Sequence, residues 1–327
     1  MQQLWKHFLE QRAFVMTQTL GAERAFASST RVDPAATRCV DLNHLTAMRL
    51  VGPDAATFLQ GYLTCDMNAL EPSHALFGAY CNIKGRVVAD ATVVLTQDHP
   101  TLVTHVSLRE PVIASLRKYL AFSRSKFDGL AAAPILLGIV NPPADAALPS
   151  EPLTVAPFRG GWAVAIPGAV LSEQRRVMLL LPAHDATDVW LEYEARSEVA
   201  DATIWDLLDV RAGIAHVCAA TSETFLPQML DYDQLGAVSF TKGCYLGQEI
   251  VARTQHLGRP KRHLHALLWT GTSVPAIGQS LIKPDAGRAG TLVNAAATGT
   301  DTGEALAVLN DAVEGPLHGG TAKFTLQ

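Results

Sequence analysis

Cysteine is scarce in this sequence. There are five, Cys39, Cys65, Cys81, Cys218 and Cys244, with no C-x-x-C pair among them. An odd count without such a pair argues against a disulfide framework and against a four-cysteine zinc or cluster site within one chain. It fits a reducing compartment, so a cytoplasmic protein is expected. Long apolar runs are also missing. None approaches 18 residues, so no membrane span is expected. The first twenty residues are broken by Lys6, His7, Glu10, Gln11 and Arg12 and lack the apolar core of a secretory leader. Glycine-rich phosphate loops are absent, which leaves nucleotide binding without support. Positive charge is in deficit. The net charge of −5 argues against a broad phosphate-binding surface. There is no repeat of fixed period.

What is present is an ordinary globular balance, 48% hydrophobic and 17% charged residues. A chain of 327 residues is long enough for two or three packed units. Its richest stretch is Lys242-Gly243-Cys244-Tyr245-Leu246-Gly247-Gln248-Glu249. An apolar lead-in, Ala237 to Phe240, precedes it. A helix from Gly247 to Arg253 is expected to follow. Cys244 would then stand just ahead of a helix N-terminus, where unpaired amides and the helix dipole favour negative charge. Lys242 adds a cation two residues away. Such surroundings lower a cysteine pKa and make the sulfur nucleophilic, redox-active or metal-binding. Gly243 and Gly247 would allow a ligand to approach the backbone closely. The plain alternative is a buried cysteine after a Lys-Gly turn.

The rest of the chain reads as short strands with single helices. A helix with a polar tail is expected over Met1 to Thr30. Strands are expected at Cys39–Leu42 and Met48–Val51. Gly52-Pro53-Asp54 starts a helix. Ala75–Tyr80 and Arg86–Leu95 pair about a turn at Asn82–Gly85. Helices follow over Pro111–Leu120, Asp185–Arg196 and Thr203–Gly213, and strands at Ile135–Val140, Trp162–Ile166 and Val177–Leu181. Thr221 to Leu235 is polar and irregular, as expected of a loop facing a site. From His263 onward, short β segments between Gly and Pro suggest a separate β unit. This pattern is that of an α+β protein with antiparallel sheets.

The eight-residue stretch resembles the signature of the YgfZ family of folate-binding proteins. These are relatives of the glycine-cleavage T-protein, an aminomethyltransferase, and act in iron–sulfur protein maturation and tRNA modification. The resemblance extends over Leu50 to Ala55, Phe58 to Gly61, Thr64 to Asp66, Gly78 to Arg86, Leu116 to Arg124, Trp205 to Ile214 and Phe225 to Gln228. In order, these cover most of the chain from about Leu42 to Arg262. It implies a three-domain T-protein-like fold: residues 31–50 with 130–255 as a split first domain carrying the motif, 51–129 as an inserted α+β domain, and 262–327 as a C-terminal β-barrel-like domain. It also implies a bound tetrahydrofolate or one-carbon derivative and iron–sulfur client or assembly proteins as partners. The residues show no interleaved aromatic platform of the kind single-strand binders use, so no direct nucleic acid binding is expected.

On this resemblance Cys244 and Lys242 are the candidate catalytic pair. Gly243, Tyr245, Gly247, Gln248, Glu249 and Arg253 join them as candidate folate contacts. Trp205 falls where the family places a folate-contacting tryptophan; the alternative is core packing. Where the family carries an aromatic before the first apolar run, this chain has Leu45. Glu249 and Asp66 are candidates for the amide-like edge of a pterin, with a helix-terminus charge and a turn cap as the respective alternatives. Arg253, Arg259, Lys261 and Arg262, with His256, His263 and His265, form one cationic stretch suited to a polyglutamate tail or a phosphate backbone, or to a solvated linker. His216 and Cys218 read as structural. T-protein chemistry needs an acidic group on the strand after Lys84-Gly85-Arg86, and only Asp90 of a possible pair is present there. The expectation is therefore a folate-binding assembly or repair factor with Cys244 as its thiol. A one-carbon transferase and a non-catalytic scaffold are the alternatives.

Overall fold

The computed structural model describes residues 5–12, 36–129, 133–143, 147–168, 174–256, 261–311, 313 and 315–327. Residues 5–12 form a helix, α1. The rest of the helix and tail expected over Met1 to Thr30 lies outside the described residues.

Strands β1 (Arg38–Asp41) and β2 (Leu45–Val51) are separated only by the turn at Leu42-Asn43-His44. They nevertheless enter different sheets. β3 (Leu76–Cys81), β4 (Val87–Thr96), β5 (His99–His105) and β6 (Lys126–Phe127) join β2 in a five-stranded antiparallel sheet, in the order β3-β4-β5-β2-β6. β7 (Ile135–Val140), β8 (Val155–Phe158), β9 (Gly161–Ile166), β10 (Arg176–Leu181) and β11 (Glu198–Ala200) join β1 in a six-stranded sheet, in the order β11-β1-β7-β10-β9-β8. The β1–β11 pair is parallel and the other pairs are antiparallel. β12 (Arg262–Thr270), β13 (Ser280–Ile282), β14 (Arg288–Ala297), β15 (Thr302–Asn310), β16 (Leu317–Gly319) and β17 (Ala322–Leu326) close into a barrel. The α+β class and the C-terminal β barrel are as expected.

Local chemistry explains the elements. All six residues of β7 and of β10 are buried, as unbroken apolar runs between packed layers must be. Helix α2 (Ala55–Gln60) begins after Gly52-Pro53-Asp54, but Asp54 makes no side-chain cap. Its carboxylate instead grips the Arg124 guanidinium at 2.8 and 3.0 Å. Helix α3 (Arg109–Leu120) buries Val112, Leu116 and Leu120, and α4 (Ala183–Arg196) buries Val189, Trp190 and Tyr193. Helix α5 (Thr203–Ala212) stops at Gly213, whose φ of 69° is left-handed. Helix α6 spans Gln248–His256.

Two expectations need correction. The chain leaves the first sheet at Asn43-His44 rather than after Leu50, because Leu45 to Arg49 pair with β5. The motif segment does not pack with the six-stranded sheet. Val210, Phe225, Leu230, Tyr232, Val238 and Val251 share one core with the five-stranded sheet and with Leu306 and Val308 of the barrel. The supposed loop from Thr221 to Leu235 supplies much of that core, with Phe225, Leu230 and Tyr232 fully buried.

Candidate functional site

The motif and its lead-in are anchored on the segment from Gly61 to Cys65. The Thr64 hydroxyl donates to the Ala237 carbonyl at 2.6 Å, and the Ser239 N–H donates to the Thr64 carbonyl at 2.9 Å. The Leu246 N–H donates to Gly61 O at 3.0 Å. Lys242 was expected to set its charge beside Cys244. Instead its buried ammonium donates to the carbonyls of Leu63 and Cys65 at 2.8 and 2.7 Å, and it lies 5.2 Å from the Tyr245 ring centre. Burial lowers the Lys242 pKa, and the nearby Cys65 and Asp66 only partly offset this. Lys242 acts as a clamp.

The two glycines separate. A Cβ on Gly243 would meet nothing within 4 Å, so the backbone there is open. A Cβ on Gly247 would lie 2.4 Å from the Asn82 carbonyl, and its φ is +83°. Gly247 is thus closed off by the β3–β4 turn, and does not line an opening. Tyr245 is buried, and burial raises its pKa. Gln248 accepts the Tyr245 N–H at 3.2 Å through its Oε1. Cys244, Glu249 and Arg253 are exposed. Asp66 caps the short 3-10 turn Met67–Ala69 and accepts from Asn68 N and Gln60 Nε2. Those hydrogen bonds hold its pKa low. Arg259 and the side chain of His256 lie outside the described residues.

Among the five cysteines only Cys244 is exposed. Cys39, Cys65 and Cys81 are buried, and burial pushes the Cys65 thiol up to about 11 and that of Cys81 up to about 12. Buried thiols of this kind are inert.

Trp205 is not grouped with the motif. It is buried in the core beneath the six-stranded sheet, 3% exposed. A Cβ on Gly138 would lie 2.5 Å from its ring, and the Arg176 guanidinium stands 5.0 Å from its centre. This burial matches the core-packing alternative.

Helix α5 builds a second centre, one the sequence reading passed over. Asp209 accepts from Arg176 at 2.7 Å, and Arg176 also donates to Pro167 O at 2.7 Å. His216 Nδ1 lies 2.6 Å from Asp90 Oδ2, and the Val217 N–H donates to Asp90 Oδ1 at 2.6 Å. His216 Nε2 is 3.6 Å from Asp209. The Asn294 side chain of the barrel accepts the His216 N–H at 2.9 Å. Arg176, Asp209, His216 and Asp90 thus link both sheets and the barrel. Burial opposes charge on His216, but Asp90 and Asp209 outweigh it and raise its pKa well above the ordinary value.

His44 and Asp206 flank this chain of charges, 3.6 Å apart. Burial drives His44 down to about 4. Burial and then Asp209 drive Asp206 up to about 7. At neutral pH His44 is uncharged, so this contact is not an ion pair. His216, expected to be structural, lies within this centre. The available signal was Asp206 and Asp209, three apart on one helix face, with His216 soon after.

The turn that brings His44 to the centre also puts Leu42, Asn43 and Leu45 on the wall of a cavity of about 590 Å³. Trp5, Leu9, Asp41, Val106, Trp190 and Asp201 are among its other walls. Asp41 accepts from Trp5 Nε1 at 3.1 Å and from Asn43 Nδ2 at 2.9 Å, and burial raises its pKa. Among the described residues, no group of three or more His, Cys, Asp or Glu is arranged to hold a metal, and no helix is long and apolar enough to cross a membrane.

The two sheets and the barrel define the class. A family model described as the GCVT N-terminal domain matches residues 17–151. The glycine cleavage system aminomethyltransferase T of Bartonella henselae has the same fold, with a TM-score of 0.69 over 89% of this chain and 85% of that one, at 17% identity. At the level of sequence, the tRNA-modifying protein YgfZ of Sodalis glossinidius (strain morsitans) is 32% identical over 247 residues, 74% of each chain. That of Yersinia pestis (strain Pestoides F) is 29% identical over 279 residues, 83% of this chain and 84% of its own. The chain belongs to the YgfZ family.

Proposed function

We propose that this protein binds a reduced folate and supports iron–sulfur-dependent tRNA modification in the cytoplasm, with Cys244 as its working thiol. The observation that carries this reading is the contrast among the cysteines. Cys244 stands exposed on a segment clamped by Lys242 and Gly247, beside the open backbone of Gly243, while three of the others are buried. A rigid anchorage with an accessible thiol suits a residue that must meet another protein or a cluster.

The residues around the cavity of about 590 Å³ fit a folate. That volume is typical of a small-ligand site, with mostly apolar walls and a few polar groups. Leu42, Leu45 and Val106 would cover the rings, and Asp201 would meet the pterin edge. Glu249, Asp66 and Arg253 belong to the motif side and would bear on a partner, not on the pterin. A bound one-carbon folate would supply or accept a one-carbon unit. Both carboxylate oxygens of Asp90 are engaged by His216 and Val217, which supports binding over full aminomethyl transfer.

The test has two arms. Tetrahydrofolate should quench tryptophan fluorescence through Trp5 and Trp190, and Leu45→Arg should abolish the quenching. Cys244→Ser should keep folate binding yet fail to restore thiolated tRNA in a strain lacking the protein. Full restoration by the serine variant would falsify the thiol assignment, and unchanged fluorescence would remove the folate assignment.

A further inference from the structure

A different cavity, of about 610 Å³, opens beside the β3–β4 turn. Lys84 and Arg86 reach it from that turn, Arg262 from the start of β12 and Arg288 from the start of β14. Among the described residues, Glu223 is the one carboxylate on its wall. Arg86 donates to the Thr224 carbonyl at 2.5 Å and Arg288 to the Thr291 hydroxyl at 3.0 Å. Arg262 is paired with Asn310 through the backbone of β12 and β15, but its guanidinium has no hydrogen-bond or ion-pair partner among the described residues. Burial lowers its pKa, and the Arg86 and Arg288 charges push the same way. Guanidinium groups that outnumber the carboxylates beside them repel one another and attract anions.

The wall is fixed in place. The Ser222 hydroxyl donates to Val88 O at 2.7 Å, and the Glu223 N–H donates to Val87 O at 2.7 Å. Glu223 is held at a left-handed φ of 60°, a conformation that costs energy and persists only where neighbours impose it.

We propose that this cavity binds a small ligand bearing two or more oxyanion groups, with Arg86, Arg262 and Arg288 as its anchors. Guanidinium forks pair with the oxygens of carboxylate or phosphate alike. An oligo-γ-glutamyl chain and an oligophosphate both carry this chemistry. An extended polyanion such as RNA fits less well. The cluster is local, the chain carries a net −5, and exposed Asp285 and Asp311 stand on the turns next to Arg288 and Lys261. The same turn sets Gly85 against Gly247, so a ligand here would lie against the anchorage of the Cys244 segment.

The experiment is a calorimetric titration of the full chain with inorganic phosphate, tripolyphosphate, tri-γ-glutamate and a 12-nucleotide RNA. One of the two small polyanions should bind more tightly than inorganic phosphate, and which one does identifies the source. Arg262→Gln with Arg288→Gln should weaken it roughly ten- to a hundredfold, as loss of charge-assisted pairs does. Lys323→Gln, exposed on the same barrel away from the cavity, should change nothing. Should the double variant fold poorly, Arg288→Gln alone gives the same readout at an exposed side chain. Equal affinity in the arginine variants, binding of none of the small anions, or binding of RNA alone would overturn the proposal.

Discussion

Lys242 shows how a single side chain is read differently once its surroundings are known. Beside a cysteine in sequence, a lysine suggests an electrostatic helper. In the fold its ammonium donates instead to the Leu63 and Cys65 carbonyls. Lys242→Met would leave two buried carbonyls and bury an apolar tip in their place. A loss of about 2–5 kcal/mol is expected, since each unsatisfied buried acceptor costs about 1–3 kcal/mol. Urea denaturation measures it directly. A loss under about 0.5 kcal/mol, within the range of ordinary surface substitutions, would mean that Lys242 is not the clamp. Gly247 makes a second case. Alanine there needs both a left-handed φ of +83° and a Cβ 2.4 Å from a carbonyl oxygen. Gly247→Ala should therefore destabilise by more than the roughly 1–3 kcal/mol of backbone strain alone. It should also speed proteolysis near Cys244. Gly243→Ala, with open space around it, should do neither.

At the scale of elements, α5 matters most. Trp205 and Asp209 are four residues apart, so they share a face. Trp205 lies on Gly138 of β7 and Asp209 grips Arg176 of β10. Gly138→Val would drive two methyl groups into the indole and push α5 off the sheet. Arg176→Met would leave Asp209 as a buried, half-compensated charge, and a cost of about 3–5 kcal/mol is expected. If thermal unfolding places Arg176→Met within 1 °C of wild type, the pair is not holding this helix.

The helix itself was legible in the sequence. Its apolar spacing and Gly213 predict a stop where the structure has one. Its partners were not legible. Asp90 and His216 are 126 positions apart, and nothing local marks either as the other's partner. The Thr221–Leu235 segment was misread for a related reason. It folds as successive turns, so its buried Phe225, Leu230 and Tyr232 follow neither a helical nor a strand period. Strand β2 shows a third limit. Its residues read as a strand from sequence, but only pairing decides which sheet receives it.

On the scale of the whole molecule, the two sheets and the barrel meet around charges that must balance. Arg176 and charged His216 offset Asp209 and Asp90, while burial and then Asp209 raise the Asp206 acid to about 7. The consequence for stability follows from sign. An acid whose folded pKa exceeds its unfolded value of 3.8 holds its proton better when folded. Its contribution is present in full below that unfolded value and is lost as pH rises towards about 7. His216 is raised above 6.5, so its contribution is full below that value and fades as pH rises through its folded pKa. Asp206 therefore weakens the fold as pH rises from acid to neutrality, and His216 weakens it from about 6.5 upward. The hydrogen-bonded Asp54, Asp66 and Asp128, whose pKa values are lowered, act on the opposite limb and weaken it in acid.

Tm should accordingly fall between pH 6 and pH 9. Asp206→Asn should be more stabilising relative to wild type at pH 8 than at pH 4.5, because it removes a penalty that exists only once the unfolded acid ionises. Solvent screening limits the size of this effect, since 47% of the Asp206 side chain remains open to water. His216→Gln should destabilise at pH 6 and flatten the decline above neutrality. Curves for wild type, Asp206→Asn and His216→Gln that run parallel from pH 4.5 to pH 9 would show that neither group carries the charge balance of the centre, and the stability of this junction would then rest on its apolar contacts alone.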